Sequence, residues 1–166
     1  MNLFALSESM ENDRKQARWY ILNYEEARRN YEQSKAEALS SPQNPANQNA
    51  GGHGGSVSSP TELKALRSIT YDREHKEYFW LKAVEILQRT LSPQRVLFLK
   101  VRRQAELNRG VTAGRPAWIA YTQTHYMCEL EKTFIQGEAH ISERRIKAMW
   151  ADMVNKTVEI YLRIKK

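Results

Sequence analysis

His140-Ile141-Ser142-Glu143-Arg144-Arg145-Ile146-Lys147-Ala148-Met149-Trp150 is the stretch on which the reading of this chain turns. Ser142 is placed to cap a helix, its hydroxyl accepting from a backbone N–H of the first turn. Glu143, Arg144 and Arg145 fill that turn. Behind them Ile146, Trp150, Met153, Thr157, Tyr161 and Ile164 recur every three or four residues. This is one face of a long amphipathic helix. Arg144, Ala148, Asp152 and Asn155 fall on the opposite side. They are small or hydrogen-bonding residues, not a uniformly solvated row of Glu and Lys. A helix divided this way has one face for a small core and another free to meet a partner. A charged helix that only packs is the alternative.

Charge bears on that choice. The chain has 26 Lys+Arg and 19 Asp+Glu, a formal net of +7. Residues 1–91 hold 12 basic and 12 acidic side chains, and residues 92–166 hold 14 and 7. The whole excess therefore lies with the final helix. Lys and Arg that neutralise phosphates supply most sequence-independent affinity for nucleic acid. An anionic membrane surface also attracts such charge. No lipidation motif is present, however, and the aromatics fit core positions better than an interfacial stripe.

The rest of the chain reads as all-α, in two parts: residues 1–91 and residues 92–166. Residues 10–39 form a helical stretch with a ragged stripe of Trp19, Leu22, Tyr24, Ala27, Tyr31 and Leu39. Tyr20, Tyr24 and Tyr31 allow two readings, a platform for stacking bases or packing against a partner helix. Residues 40–60 offer little to bury and read as a flexible linker. Their Gly-Gly-His-Gly-Gly run lacks the preceding strand and the Gly-Lys-Ser/Thr ending of a phosphate loop. Ser59-Pro60-Thr61-Glu62 opens a second helix, which runs to Thr90 and Leu91. The two helices are expected to form an antiparallel hairpin that packs on the C-terminal unit or on a second copy.

Ser92-Pro93-Gln94 starts another helix, over residues 94–107. Val96, Leu97, Leu99, Val101 and Ala105 are read inward, and Arg95, Lys100, Arg102 and Arg103 outward. Gly110 closes it. A further helix follows over residues 117–135, and Gln136 to His140 turn into the last one.

Mean hydropathy is −0.70, far from a run that spans a bilayer. The N-terminus has no basic segment leading into an apolar core, so no signal peptide is expected. The single Cys128 rules out an internal disulfide and fits a reducing cytoplasm. His53, His75, His125 and His140 are scattered, with no pair at helical metal-ligand spacing. Cys128 lies three residues from His125, but no third group orients such a pair. Neither catalysis, nor a metal, nor a cofactor is expected.

Leu-Ser-Pro-Gln-Arg-Val-Leu-Phe-Leu at residues 91–99, a middle helix, and His-Ile-Ser-Glu-Arg-Arg-Ile-Lys at residues 140–147 resemble the order of elements in sigma-factor region 4. The wider layout, a Tyr-rich charged helix, a Pro/Asn/Gly linker and then Ser-x-x-Glu, resembles the RinA-type transcriptional activators of phages and prophages. The resemblance covers roughly residues 20–166 and is sharpest at residues 140–144. The segment of residues 109–134 and the turn before Ser142 are longer than in a compact region-4 motif.

What the resemblance implies is a cytoplasmic helix-turn-helix protein without catalysis, which binds double-stranded DNA and switches on late packaging and morphogenesis genes. Arg144, Arg145, Lys147, Ala148 and Asn155 would then face base edges, in pairings such as Arg with guanine and Asn with adenine. Arg102, Arg103, Arg109, Arg115 and Ser142 would hold phosphates and fix the register. RNA polymerase is a possible second partner, and so is another copy of the chain. The alternative expectation is an assembly protein like a phage small terminase subunit, which combines DNA contacts with a ring of many copies.

Overall fold

The computed structural model describes residues 3–40, 60–107, 117–134 and 139–166. These are all-helical, with no strand among them. The helices are α1 (Leu3–Leu22), α2 (Tyr24–Ser40), α3 (Pro60–Glu74), α4 (Lys76–Thr90), α5 (Pro93–Leu107), α6 (Ala117–Thr133) and α7 (Glu143–Ile164). The expected linker lies outside the described residues, apart from its end positions Ser40 and Pro60. So do the expected cap Ser59 and the expected stop Gly110.

Two expected helices are each broken once, without glycine or proline. At Asn23 the backbone bonds continue, from Asn23 N to Trp19 O and from Ala27 N to Asn23 O, both at 2.9 Å. The Asn23 side-chain Nδ2 also donates to Trp19 O at 2.9 Å. A side chain that bonds back one turn competes with the helical ladder and bends it. At His75 the backbone turns extended, with φ −104° and ψ 117°. Its Nδ1 sits 2.7 Å from Tyr71 O and takes up a carbonyl left over at the end of α3.

The kinked helices run antiparallel. Tyr20 meets Trp80, and Tyr31 meets Tyr71 and Tyr78. The three tyrosines named in the sequence therefore pack. Tyr20 and Tyr24 are buried, and the Tyr31 hydroxyl donates to Asp72 at 2.5 Å. The hairpin rests on the C-terminal unit through α7. Trp80 lies between Tyr20, 5.9 Å away at 10°, and Tyr161, 3.7 Å away at 4°. This stack joins α1, α4 and α7. A single apolar cluster contains Ile21, Leu87, Phe98, Ile146 and Met153.

α5 and α6 form a second antiparallel pair. Phe98 packs edge-on to Tyr126 at 5.3 Å, and the Tyr126 hydroxyl donates to Gln94 O at 3.1 Å. Pro93 opens α5 as expected, with Val96 N donating to Ser92 O at 2.9 Å. The inward face of α5 differs from the expectation. Phe98, Leu99, Val101, Arg102 and Ala105 are buried, whereas Val96 is exposed.

Ser142 caps α7. Its hydroxyl accepts from Arg145 N at 3.3 Å, and its carbonyl accepts from Ile146 N at 3.1 Å. Ser142→Ala is expected to cost about 1 kcal/mol, or roughly 2–4 °C in the melting midpoint followed by circular dichroism.

The aromatic packing also predicts an alkaline transition. Burial, reinforced by Glu77 and Tyr161, pushes the Tyr20 hydroxyl up to about 12. Burial and the bond to Asp72 raise Tyr31 as well. Both hydroxyls stay neutral in the fold at a pH where the unfolded chain ionises. Their contribution is complete below the ordinary tyrosine value of about 10 and is lost as pH rises above it. The melting midpoint is expected to fall between about pH 10 and 12. Tyr20→Phe should flatten that fall.

Candidate nucleic-acid interface

The division expected of α7 is present. Ile146, Trp150, Met153, Val154, Thr157, Val158 and Tyr161 are buried. Arg144, Arg145, Lys147, Ala148, Ala151, Asp152 and Asn155 are exposed. Residues 143–166 hold seven basic and three acidic side chains, a net of +4. Lys147 pairs with Glu143 one turn away at 2.5 Å, a bond between exposed groups that a stronger anion can displace. Alanines at 148 and 151 leave the backbone open to close approach.

Two flanks border this strip. On one side lie Arg14 and Arg18 of α1, which with Trp150, Ala151, Val154 and Asn155 line a groove of about 320 Å³. Both arginines share Glu11, at 3.7 and 3.4 Å. Arg14 Nε also donates to Asn155 Oδ1 at 3.1 Å. An asparagine side chain can pair with adenine through both its oxygen and its amide nitrogen.

On the other side Arg95 of α5 pairs with Asp152 at 2.5 Å. Arg95, Arg145, His140 and Ser142 line a cleft of about 510 Å³. The N-terminal turns of α5 and α7 both border it. A helix N-terminus carries a partial positive charge, a setting that favours anions. The fields of Arg145 and Arg95 reach the Tyr126 phenol and oppose the upward pull of its burial.

Two expected phosphate contacts are corrected. Arg102 is 4% exposed. Its guanidinium lies 4.2 Å from the Trp118 ring centre and 4.8 Å from that of Trp150, and it pairs with Glu106 at 3.0 Å. A charge held between two indoles and a carboxylate does not meet a phosphate. Arg103 is partly buried too. Its Nε donates to Ile21 O at 2.8 Å, at the C-terminal end of α1, and burial lowers its pKa. That is a cap for a helix end, favoured by the negative pole there. Arg109 and Arg115 lie outside the described residues.

Arg14, Arg18 and Arg95 are the arginines that border the α7 strip. The outward reading of Arg95 agrees with its partly exposed place beside Asp152. For Arg14 and Arg18 no local signal exists, because α1 meets α7 across 141 residues of sequence. Among the described residues, no group of three His, Cys, Asp or Glu side chains is arranged to hold a metal. None of their helices is long and apolar enough to cross a membrane. Comparison with known protein families, with curated proteins and with solved structures finds no match to this chain.

Proposed function

We propose that this chain binds double-stranded DNA through the exposed face of α7 and acts as a transcriptional activator of phage or prophage late genes. The observation that carries DNA binding is the placement of Arg14, Arg18 and Arg95 on either side of the α7 strip. Arg144, Arg145 and Ala148 sit where base edges would be read, and the flanking arginines sit where the two phosphate backbones would pass. The activator role rests on the resemblance to RinA-type proteins. RNA polymerase would then be the second partner, brought to a late promoter by the bound protein.

A salt series tests DNA binding. With four to six phosphates neutralised, the logarithm of affinity for random duplex should fall against that of salt with a slope of roughly −4 to −5. A flat dependence, or no binding at low salt, would refute the reading.

One observation favours the second reading, a ring-forming DNA-packaging protein. Leu63, Leu66 and Ile69 form an exposed apolar row on α3, 44%, 59% and 49% accessible, of the kind that self-association covers. Light scattering separates the two. A mass of one or two copies supports the activator, and a mass of many copies supports the ring.

A further inference from the structure

Away from the residues proposed to meet DNA, the hairpin carries a groove walled by aromatic rings. Trp19, Tyr20 and Tyr31 come from one arm, and Tyr71 and His75 from the other. The cavity is about 380 Å³, within the range that holds small organic ligands.

Its walls are pinned. The Tyr31 hydroxyl is fixed on Asp72, and its ring centre lies 5.8 Å from that of Tyr71. His75 stacks on Tyr71 at 3.8 Å with its Nδ1 on the Tyr71 carbonyl. A carbonyl only accepts, so Nδ1 is the donor in this bond. Trp19 stands edge-on to Tyr20 at 4.8 Å and is half exposed. Rings already held in place lose little freedom when a ligand arrives.

Charge decides what fits. No lysine or arginine is among the described residues that line the groove; its charged member is Glu77, whose field acts on the Tyr20 hydroxyl. Lys35 lies nearby, engaged with Asp72 at 2.6 Å. Aromatic faces carry negative potential and attract cations, and alkylated ammonium groups, being weakly hydrated, are typical ligands of such walls. In a chain of net charge +7, this is a concave surface suited to a cation. We propose that the groove binds a small organic ammonium ion, with its nitrogen at the end formed by Trp19, Tyr20 and Glu77. The inference stands apart from DNA binding, since it uses none of the same residues.

The test uses the full chain and choline at constant ionic strength, followed by NMR through the choline methyl protons, which report on every variant, and through the Trp19 indole N–H where it is present. The control is the uncharged isostere of choline, in which a tert-butyl group replaces trimethylammonium. Choline is expected to saturate and to shift Trp19. The isostere should bind at least about fivefold more weakly, the share owed to the cation. Trp19→Ala should abolish the response, and Glu77→Gln should weaken it severalfold. Both positions are exposed, so both variants should keep the wild-type circular dichroism spectrum. Equal binding of the isostere would overturn the proposal, as would absence of saturation. Choline binding that neither variant changes would place it elsewhere on the chain. Adenosine monophosphate displacing choline more strongly than the isostere does would make the groove a base-stacking site instead.

Discussion

Arg102→Ala is expected to destabilise the fold by about 3 kcal/mol, a fall of roughly 6–12 °C in the melting midpoint, while leaving the salt slope of DNA binding unchanged. The mutation empties the space between Trp118 and Trp150 and removes a charge partner of Glu106, itself largely buried. A phosphate contact would behave in the opposite way, with an unaltered melting midpoint and a slope shallower by about 1. Arg102→Lys should fall between wild type and alanine, because an ammonium keeps the charge but loses the flat surface that stacks on indole. Thermal unfolding and a salt series on one preparation decide the matter.

Arg144→Ala with Arg145→Ala should leave the melting midpoint within about 2–4 °C of wild type, since both side chains are exposed. DNA binding should change strongly. Two lost phosphate or base contacts reduce the salt slope by up to about 2. If Arg144 reads a base, its loss also removes about 1–3 kcal/mol of discrimination at that position. Competition between a selected duplex and random duplex measures this. A double variant that binds every sequence as the wild type does would remove α7 as the reading element.

The parts of the fold legible in the sequence were those specified locally. Ser142 and Pro93 mark helix starts because a cap hydroxyl and a preset φ act within one turn. Most of the buried stripe of α7 follows from spacing, although Val154 and Val158 join it and Ile164 is only partly buried. The breaks at Asn23 and His75 were not legible. Each depends on a polar side chain reaching back to a carbonyl, and apolar periodicity carries no trace of that.

Arg102 shows a signal present and misread. It lies four residues after Phe98 and three before Ala105, on the buried stripe of α5. Its charge argued for solvent, but two indoles supplied from α6 and α7 made burial tolerable. Only tertiary placement reveals such partners. The same holds for Arg14 and Arg18, which border the candidate interface because α1 packs along α7.

The most direct test of DNA binding by α7 is an NMR titration of the full chain with a short duplex. The signals of Arg144, Ala148, Ala151 and Asn155, and the side-chain signals of Arg14 and Arg95, are expected to shift together and to saturate. Those of Leu63, Leu66 and Ile69 should stay still. Shifts confined to α3 or to the aromatic groove, with α7 unmoved, would contradict the proposed interface.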